Sequence, residues 1–418
     1  MNENNPQEIQ YRRLAFKLFE QGKSVADILR RIPRSRSWLF KWKERFLRDG
    51  WKALDSLSKS PSNSPQQHSE DLVELVLRIR QRLEKSEVGL IGPRQIQREI
   101  ARLKLAPAAP SLASIKRWLK DAEYTGTSLS PAEAAHYPKF QATDDLAILS
   151  CDWVARYLMG GEKVFVFHTI NLRTHALAQT IRADKSAASA YEHLLEAFSI
   201  LGLPDFLQID NDAAFTGLGR TKPIFGRIIR LLLYLGIEVI FIPPGEAKRN
   251  STVERVNGIW AQSFWEKNHF SSWREVERKS PKFLSWYEDY APPSLNGKTV
   301  KQAASEQRLP KLRAGQRAQI PTELPLTAGR LHFVRRVDAR GEINILKEQW
   351  KISKTISGDY VWATLDLKRK ELLIYHRQSL RSQPRLLKRY EYELNESPQD
   401  LLPEFKRRSR RINILKRI

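Results

Sequence analysis

Between Glu8 and Gly50 apolar residues recur at helical spacing: Leu14, Phe16, Leu18 and Phe19, then Val25, Ile28 and Leu29, then Trp38, Leu39, Trp42 and Phe46. The pattern predicts three short helices, broken at Gly22, Lys23 and Ser24 and again at Pro33, with Ser35 as N-cap of the third. This layout reads as a helix-turn-helix module over residues 8–51, whose second reading helix would enter a major groove. Trp38, Trp42 and Phe46 lie four apart on one stripe and are expected to pack the core. Arg34, Arg36, Ser37 and Lys41 remain as candidate DNA contacts. The competing reading is a solvated basic face on a generic three-helix module.

After a linker rich in Ser, Pro and Lys (52–68), a second all-α unit is expected over 69–123. Leu72, Leu75, Val76, Ile79 and Leu83 mark a long amphipathic helix, followed by IGPRQIQREI and, after Pro110, by SLASIKRWLK. Ser111 caps the last helix; Ile115, Trp118 and Leu119 face the core, leaving Ser114, Lys116 and Arg117 toward DNA. Two readers in series raise affinity for a long site through effective concentration.

Beyond a linker at 124–143, residues 144–290 change to apolar runs alternating with helical stretches. LAILSC, KVFVFHTI and ALAQTI read as consecutive strands, SAASAYEHLLEAFSIL as a helix, DFLQI as a strand, KPIFGRIIRLLLYLG as a helix, IEVIFI as a strand and STVERVNGIWAQSFWEK as a final helix. That order predicts a mixed α/β sheet. Asp152 follows the first strand, Asp210 ends the fourth in QIDNDAAF, and Glu254 stands in the first turn of the last helix. Singly, each is an ordinary solvated or capping acid. The ordered triple is more specific, because phosphoryl transfer on DNA requires charge to be neutralised on both attacking and leaving oxygens. Two Mg²⁺ ions about 3.5–4 Å apart do this, and Mg²⁺ prefers carboxylate oxygens.

A further linker (291–324) precedes LHFVRRVDARGEINILKEQWKI and YVWATLDLKRKELLIYH, which alternate apolar and polar residues with turns at Ala339 to Gly341 and Leu367 to Lys370. Alternation of this kind predicts a small β-barrel over 325–385. The remaining segment, 386–418, ends in FKRRSRRINILKRI, with Lys406, Arg407, Arg408, Arg410, Arg411, Lys416 and Arg417 and no acid. Such a run is a phosphate clamp or a partner-docking tail, solvated when free.

Composition narrows the class. A chain of 418 residues, 41% hydrophobic and 28% charged, has material for several cores. Its net charge of +24 points to a polyanion. No stretch approaches the roughly 20 apolar residues of a membrane helix, so nucleic acid is the expected partner rather than a membrane, and MNENNPQEIQ lacks signal-peptide character. Cys151 is the single cysteine, which excludes an internal disulfide and a cysteine-rich zinc site. It is read as buried packing beside Asp152, and His168 and His175 are read as structural.

The acidic triple and its setting resemble the DDE transposases and retroviral-type integrases, whose catalytic core has the ribonuclease H fold. The resemblance is strongest from Leu146 to Thr299. It rests on Asp152 on the first strand, Asp210 with Asn211 after the fourth, Glu254 with Arg255 and Asn257 on the last helix, and the segment PPSLNGKT, similar to that following the core in bacterial insertion-sequence transposases. Three features depart from it. Asp212 stands where the family has Gly and is a second candidate acid, Glu254 follows Asp210 by 44 residues, longer than in compact members, and Ala261 stands seven after the Glu where relatives carry a base. GLGRTKPIFGR is the expected source of the extra length, and Lys248 or Arg255 is expected to contact the terminal bases instead.

The resemblance implies a multidomain DNA transposase that binds transposon ends and performs 3′-end nicking and strand transfer into target DNA. Asp152, Asp210 and Glu254 would be its catalytic residues and hold two Mg²⁺ ions, with Mn²⁺ able to substitute. It implies a homo-oligomer on double-stranded DNA in a bacterial cytoplasm at the nucleoid, with an accessory ATPase or targeting protein left open. The alternative is a domesticated, catalytically inactive transposase acting as a DNA-binding regulator. A ribonuclease is disfavoured, since duplex RNA hides its major groove from reading helices.

Overall fold

The computed structural model describes residues 6–55, 69–122, 124, 135–143, 145–212, 225–379, 381–406 and 414–416. The chain divides into two compact units, Met1–Glu70 and Asp71–Ile418.

The first unit holds α1 (Pro6–Glu20), α2 (Val25–Arg31) and α3 (Arg36–Asp49). Ser24 and Ser35 cap the second and third, their hydroxyls accepting from the Asp27 and Trp38 amides at 3.2 Å each. Phe16, Ile28, Leu39 and Trp42 form the core, with Phe46 stacked on Phe16 at 4.6 Å. Leu14, counted in the helical stripe, is 42% exposed.

The second unit opens with α4 (Glu70–Glu84), α5 (Pro93–Arg102) and α6 (Leu112–Asp121), packed around Val76, Ile96, Ile115 and Trp118. This helical module is docked on the α/β part of the same unit. Lys267 donates to the Leu83 carbonyl at 2.5 Å, Arg98 to the Asp289 carbonyl at 2.5 Å, and the Gly89 amide to the Ser263 carbonyl at 2.9 Å. Gly89 has φ +123°, and a Cβ there would sit 3.3 Å from the Trp286 indole nitrogen.

A nine-stranded sheet forms the centre of this unit: β1 (Ile148–Tyr157), β2 (Lys163–Asn171), β3 (Leu177–Arg182), β4 (Phe206–Ile209), β5 (Glu238–Phe241), β6 (Arg330–Arg336), β9 (Tyr360–Asp366), β10 (Glu371–His376) and β11 (Arg385–Glu391), in the order β11-β10-β9-β6-β5-β4-β1-β2-β3. β1, β4, β5 and β6 run parallel, and the outer strands are antiparallel. The helices α7 (Ala187–Leu201), α8 (Arg227–Tyr234), α9 (Ser251–Ser263) and α10 (Trp273–Asp289) accompany the first five strands; α11 (Val300–Glu306) and α12 (Ala314–Ala318) come after them in the chain. One large apolar cluster joins α7 and α8 to the sheet, and a second joins α9 and α10 to β2.

Three expectations are corrected here. The C-terminal strands do not form a barrel of their own. β6 pairs with β5 through Val239 with Leu331 and Phe241 with Phe333, so the strands extend the core sheet, while β7 (Glu342–Ile345) and β8 (Glu348–Lys351) form a separate two-stranded hairpin. The segment 291–324 carries α11, with a capping box at Thr299 and Gln302, and α12 rather than plain linker. The segment 386–418 begins within β11 rather than as a free tail. Arg407, Arg408, Arg410, Arg411 and Arg417 lie outside the described residues, as do the Lys416 side chain and most of GLGRTKPIFGR.

Candidate carboxylate site

Parallel pairing of β1 with β4 sets Ser150 beside Gln208. Continued by two residues, that register brings Asp152 level with Asp210 on the same face, since side chains alternate with period two. Beneath them, Asn250 is 3% exposed at the N-terminus of α9. Its Oδ1 accepts from Gln208 at 2.9 Å and from the Ser150 hydroxyl. One amide thus ties both strands to the helix that carries Glu254.

Val253, Val256 and Trp260 bury one face of α9 against Val164, Val166 and Ile170 of β2. Glu254 and Asn257, three apart, share another face. Asn257 donates from Nδ2 to Asp152 Oδ2 at 2.8 Å, and its Oδ1 lies 2.6 Å from His168 Nδ1. His168 is fully buried opposite Asp152 on β2. Because the carboxylate takes the amide NH₂, Asn257 Oδ1 must accept, so His168 carries its proton on Nδ1. Burial lowers this imidazole's pKa to about 4.

Burial pushes the Asp152 carboxyl up to about 7, and the charges of Asp210 and Glu254 push it the same way against the hydrogen bonds from the Trp153 amide and Asn257. Asp210 is also raised, chiefly by burial and against the Asp212 amide that donates to its Oδ1 at 3.0 Å. Asp212 is ion-paired with Lys185 at 3.2 Å, whose ammonium lies 4.3 Å from the Trp153 ring centre. The two candidate acids of this loop are therefore unlike: Asp210 shares the row of Asp152, and Asp212 has its own cation. Among the described residues no three His, Cys, Asp or Glu side chains stand close enough to hold a metal ion by themselves. Asp152 and Asp210 fit a hard divalent cation as donors, since Mg²⁺ is commonly held by one or two carboxylates with water and phosphate completing its shell.

The other sequence-derived positions scatter. Arg34 pairs with Glu8 and covers the Tyr11 ring, which engages it within its own module. Arg36 is exposed with its guanidinium 5.7 Å from the Phe40 ring, Lys41 is exposed, and the Ser37 hydroxyl lies 2.9 Å from that of Ser35. Lys116 and Arg117 are exposed on α6, whereas the Ser114 hydroxyl lies 3.0 Å from the capping Ser111. Arg255 is exposed beside Glu254, and the Lys248 side chain lies outside the described residues. Cys151 is buried, its thiol pushed well above the usual range by burial. His175 lies with Nε2 3.2 Å from the Ser294 hydroxyl. Sequence reasoning missed Asn250, His168 as the partner of Asn257, and Arg335, which donates to Asn211 Oδ1 at 2.8 Å. Only Asn257 carried a signal, its place three residues after Glu254.

Strand order β3-β2-β1-β4-β5, with carboxylates at β1 and after β4 and a third on α9, defines a mixed α/β core with a carboxylate site at one end of its parallel strands. No family model matches the chain. Among solved structures, the HTLV-2 integrase catalytic core domain in complex with magnesium (trimeric form) is similar at 17% identity and TM-score 0.30, over 39% of this chain and 99% of that one. The cryoEM structure of a simian T-cell lymphotropic virus intasome in complex with PP2A regulatory subunit B56 gamma matches at 16% identity and TM-score 0.32, over 73% of this chain and 100% of that one.

Proposed function

We propose that this chain is a DNA transposase of the integrase type, nicking DNA at the 3′ ends of a mobile element and joining them to target DNA. The observation that carries the reading is the parallel pairing of β1 with β4, whose register extended by two residues sets Asp152 level with Asp210 just after β4, with the charges of Asp210 and Glu254 both acting on Asp152. Asp152 and Asp210 would hold divalent cations, with Glu254 or a substrate phosphate completing the shell. Bound there, Mg²⁺ would neutralise charge on the attacking and leaving oxygens of the phosphoryl transfer. Asn257 orients Asp152, and Lys185 keeps Asp212 occupied so that Asp210 faces the cation. The exposed basic residues Arg36, Lys41, Lys116, Arg117 and Arg255 are assigned to DNA phosphates and bases.

The test is nicking and strand transfer on DNA carrying the element's ends, with Mg²⁺ or Mn²⁺, for wild type, Asp152→Asn, Asp210→Asn and Glu254→Gln. Each substitution is expected to lower the rate at least a hundredfold while DNA binding stays within twofold. Retained activity in Asp210→Asn with loss in Asp212→Asn would move the ligand to Asp212. Tight, specific DNA binding by a wild type inactive with both metals would instead favour the regulator.

A further inference from the structure

Arg335 lies on β6, outside the mixed α/β core, and is 6% exposed. A buried guanidinium is ordinarily paired with a carboxylate, because an isolated buried charge is expensive. Here every acceptor is neutral. Nε donates to the Asn344 carbonyl at 2.9 Å, Nη1 to the carbonyls of Ile242 at 3.0 Å and Val334 at 2.8 Å, and Nη2 to Asn211 Oδ1 at 2.8 Å. Burial draws its pKa down to about 10. Asn211 completes a ring by donating from Nδ2 to the same Ile242 carbonyl at 2.6 Å. The next residue on either side of Asn211 is an acid of the loop, and the Asp212 amide closes the turn onto Asp210 Oδ1. The turn after β4 is therefore held from its outer side by one side chain supplied 124 residues later.

From this geometry we infer that Arg335 is the positioning residue for Asp210, so that strand β6 is a working part of the carboxylate site rather than an appended element. The inference rests on the reading of Asp210 given under the proposed function. Arginine suits the task because its planar fork reaches several fixed carbonyls at once, which a lysine cannot. The carbonyls of Ile242 and Asn344 hold the fork still, leaving Nη2 to fix the Asn211 amide.

Hydrogen exchange across residues 206–212, with β2 as internal reference, tests the latch without any turnover. Arg335→Met, Arg335→Lys and Asn211→Leu are compared with the double variant Arg335→Met/Asn211→Leu. Exchange at 206–212 is expected to quicken about tenfold in Arg335→Met and in Asn211→Leu and less in Arg335→Lys, with β2 unchanged and the double variant no faster than the worse single one. Unchanged exchange at 206–212, additive effects in the double variant, or equal loss in β2 for Asn211→Leu and Arg335→Lys would each overturn the latch. In the nicking assay the same variants should lose at least tenfold in kcat with little change in DNA affinity; full kcat in Arg335→Met would also overturn it. A wild type with no metal-dependent nicking defeats the reading of Asp210 instead, and the exchange comparison then decides the latch alone.

Discussion

Asp152 sits where an ionised group is unwelcome. Its folded pKa of about 7 lies well above that of a free aspartate, so the charged form weakens the metal-free fold above neutrality. Asp152→Asn should therefore stabilise the protein in chelator at pH 8 by about 2–4 kcal/mol, read as a higher urea midpoint. The sign follows from linkage: between pH 4 and 7 the folded state holds a proton that the unfolded state has released. The advantage of the variant should thus shrink as pH falls through 7 and vanish near 4; an advantage that grows on acidification would contradict the assignment. Buried histidines act in the opposite direction. His168 and His193, with pKa values lowered by burial to about 4 and about 3, stay neutral while their unfolded counterparts take up protons below 6.5. Their stabilisation is complete above pH 6.5 and is lost toward pH 4, at up to about 1.4 kcal/mol per group per pH unit. Asp210, whose carboxyl is raised as well, opposes them alongside Asp152, so in the double variant Asp152→Asn/Asp210→Asn the urea midpoint should fall steadily from pH 7 to 5. A flat profile in that variant would mean these imidazoles are accessible to protons in the fold.

At the scale of elements, the helices were legible because their signals are local. Ser35 and Ser111 were identified as caps from sequence, and both hydroxyls accept the expected amide, from Trp38 and Ser114. Ser111→Ala should cost about 1 kcal/mol and Ser111→Gly only a few tenths, measured by thermal unfolding; equal costs would assign the loss to the side chain's other contacts. The apolar runs of β1, β2, β4 and β5 were equally plain. What misled was alternation in the C-terminal third. RLHFVRR reads as one face in and one out, yet Leu331 through Arg335 are all buried, and β9 is buried along its whole length despite Thr364 and Asp366. Interior strands covered on both faces hide their polar residues by pairing them, as His332 does with Glu238 at 2.8 Å, and no local pattern reveals that. Arg335 was illegible for the same reason: its partners lie on β4's loop, after β5 and on β7, far apart in sequence.

For the whole molecule, the continuous sheet makes the C-terminal third a structural dependency of the core. A chain ending at residue 324 would leave β5 as an edge, with Val239 and Phe241 stripped of Leu331 and Phe333. It should fail to give a cooperative thermal transition and should aggregate, because a parallel interior strand makes a sticky edge; a soluble, cooperatively folding fragment would show that the added strands are optional. The charge of +24 acts at the same scale. DNA affinity is expected to fall by roughly 10³-fold or more between 50 and 200 mM salt if six or more phosphates are contacted, which a titration by fluorescence anisotropy would measure. A flat response would point to contacts other than ionic ones.

The pairing of β5 with β6 also sets a schedule. Chains emerge from the ribosome N-terminus first, at about 5–20 residues per second, and residues 331–333 appear some 90 positions after the strand they complete. The first helical module packs around its own core and can form during synthesis, whereas the second completes its contacts only after Ser263, Lys267 and Asp289 have followed it. The turn bearing Asp210 cannot be locked until β6 has arrived. A newborn chain is therefore able to fold its first helical module before its carboxylate site is finished, and the long-range order of the sheet works as a timer on that site.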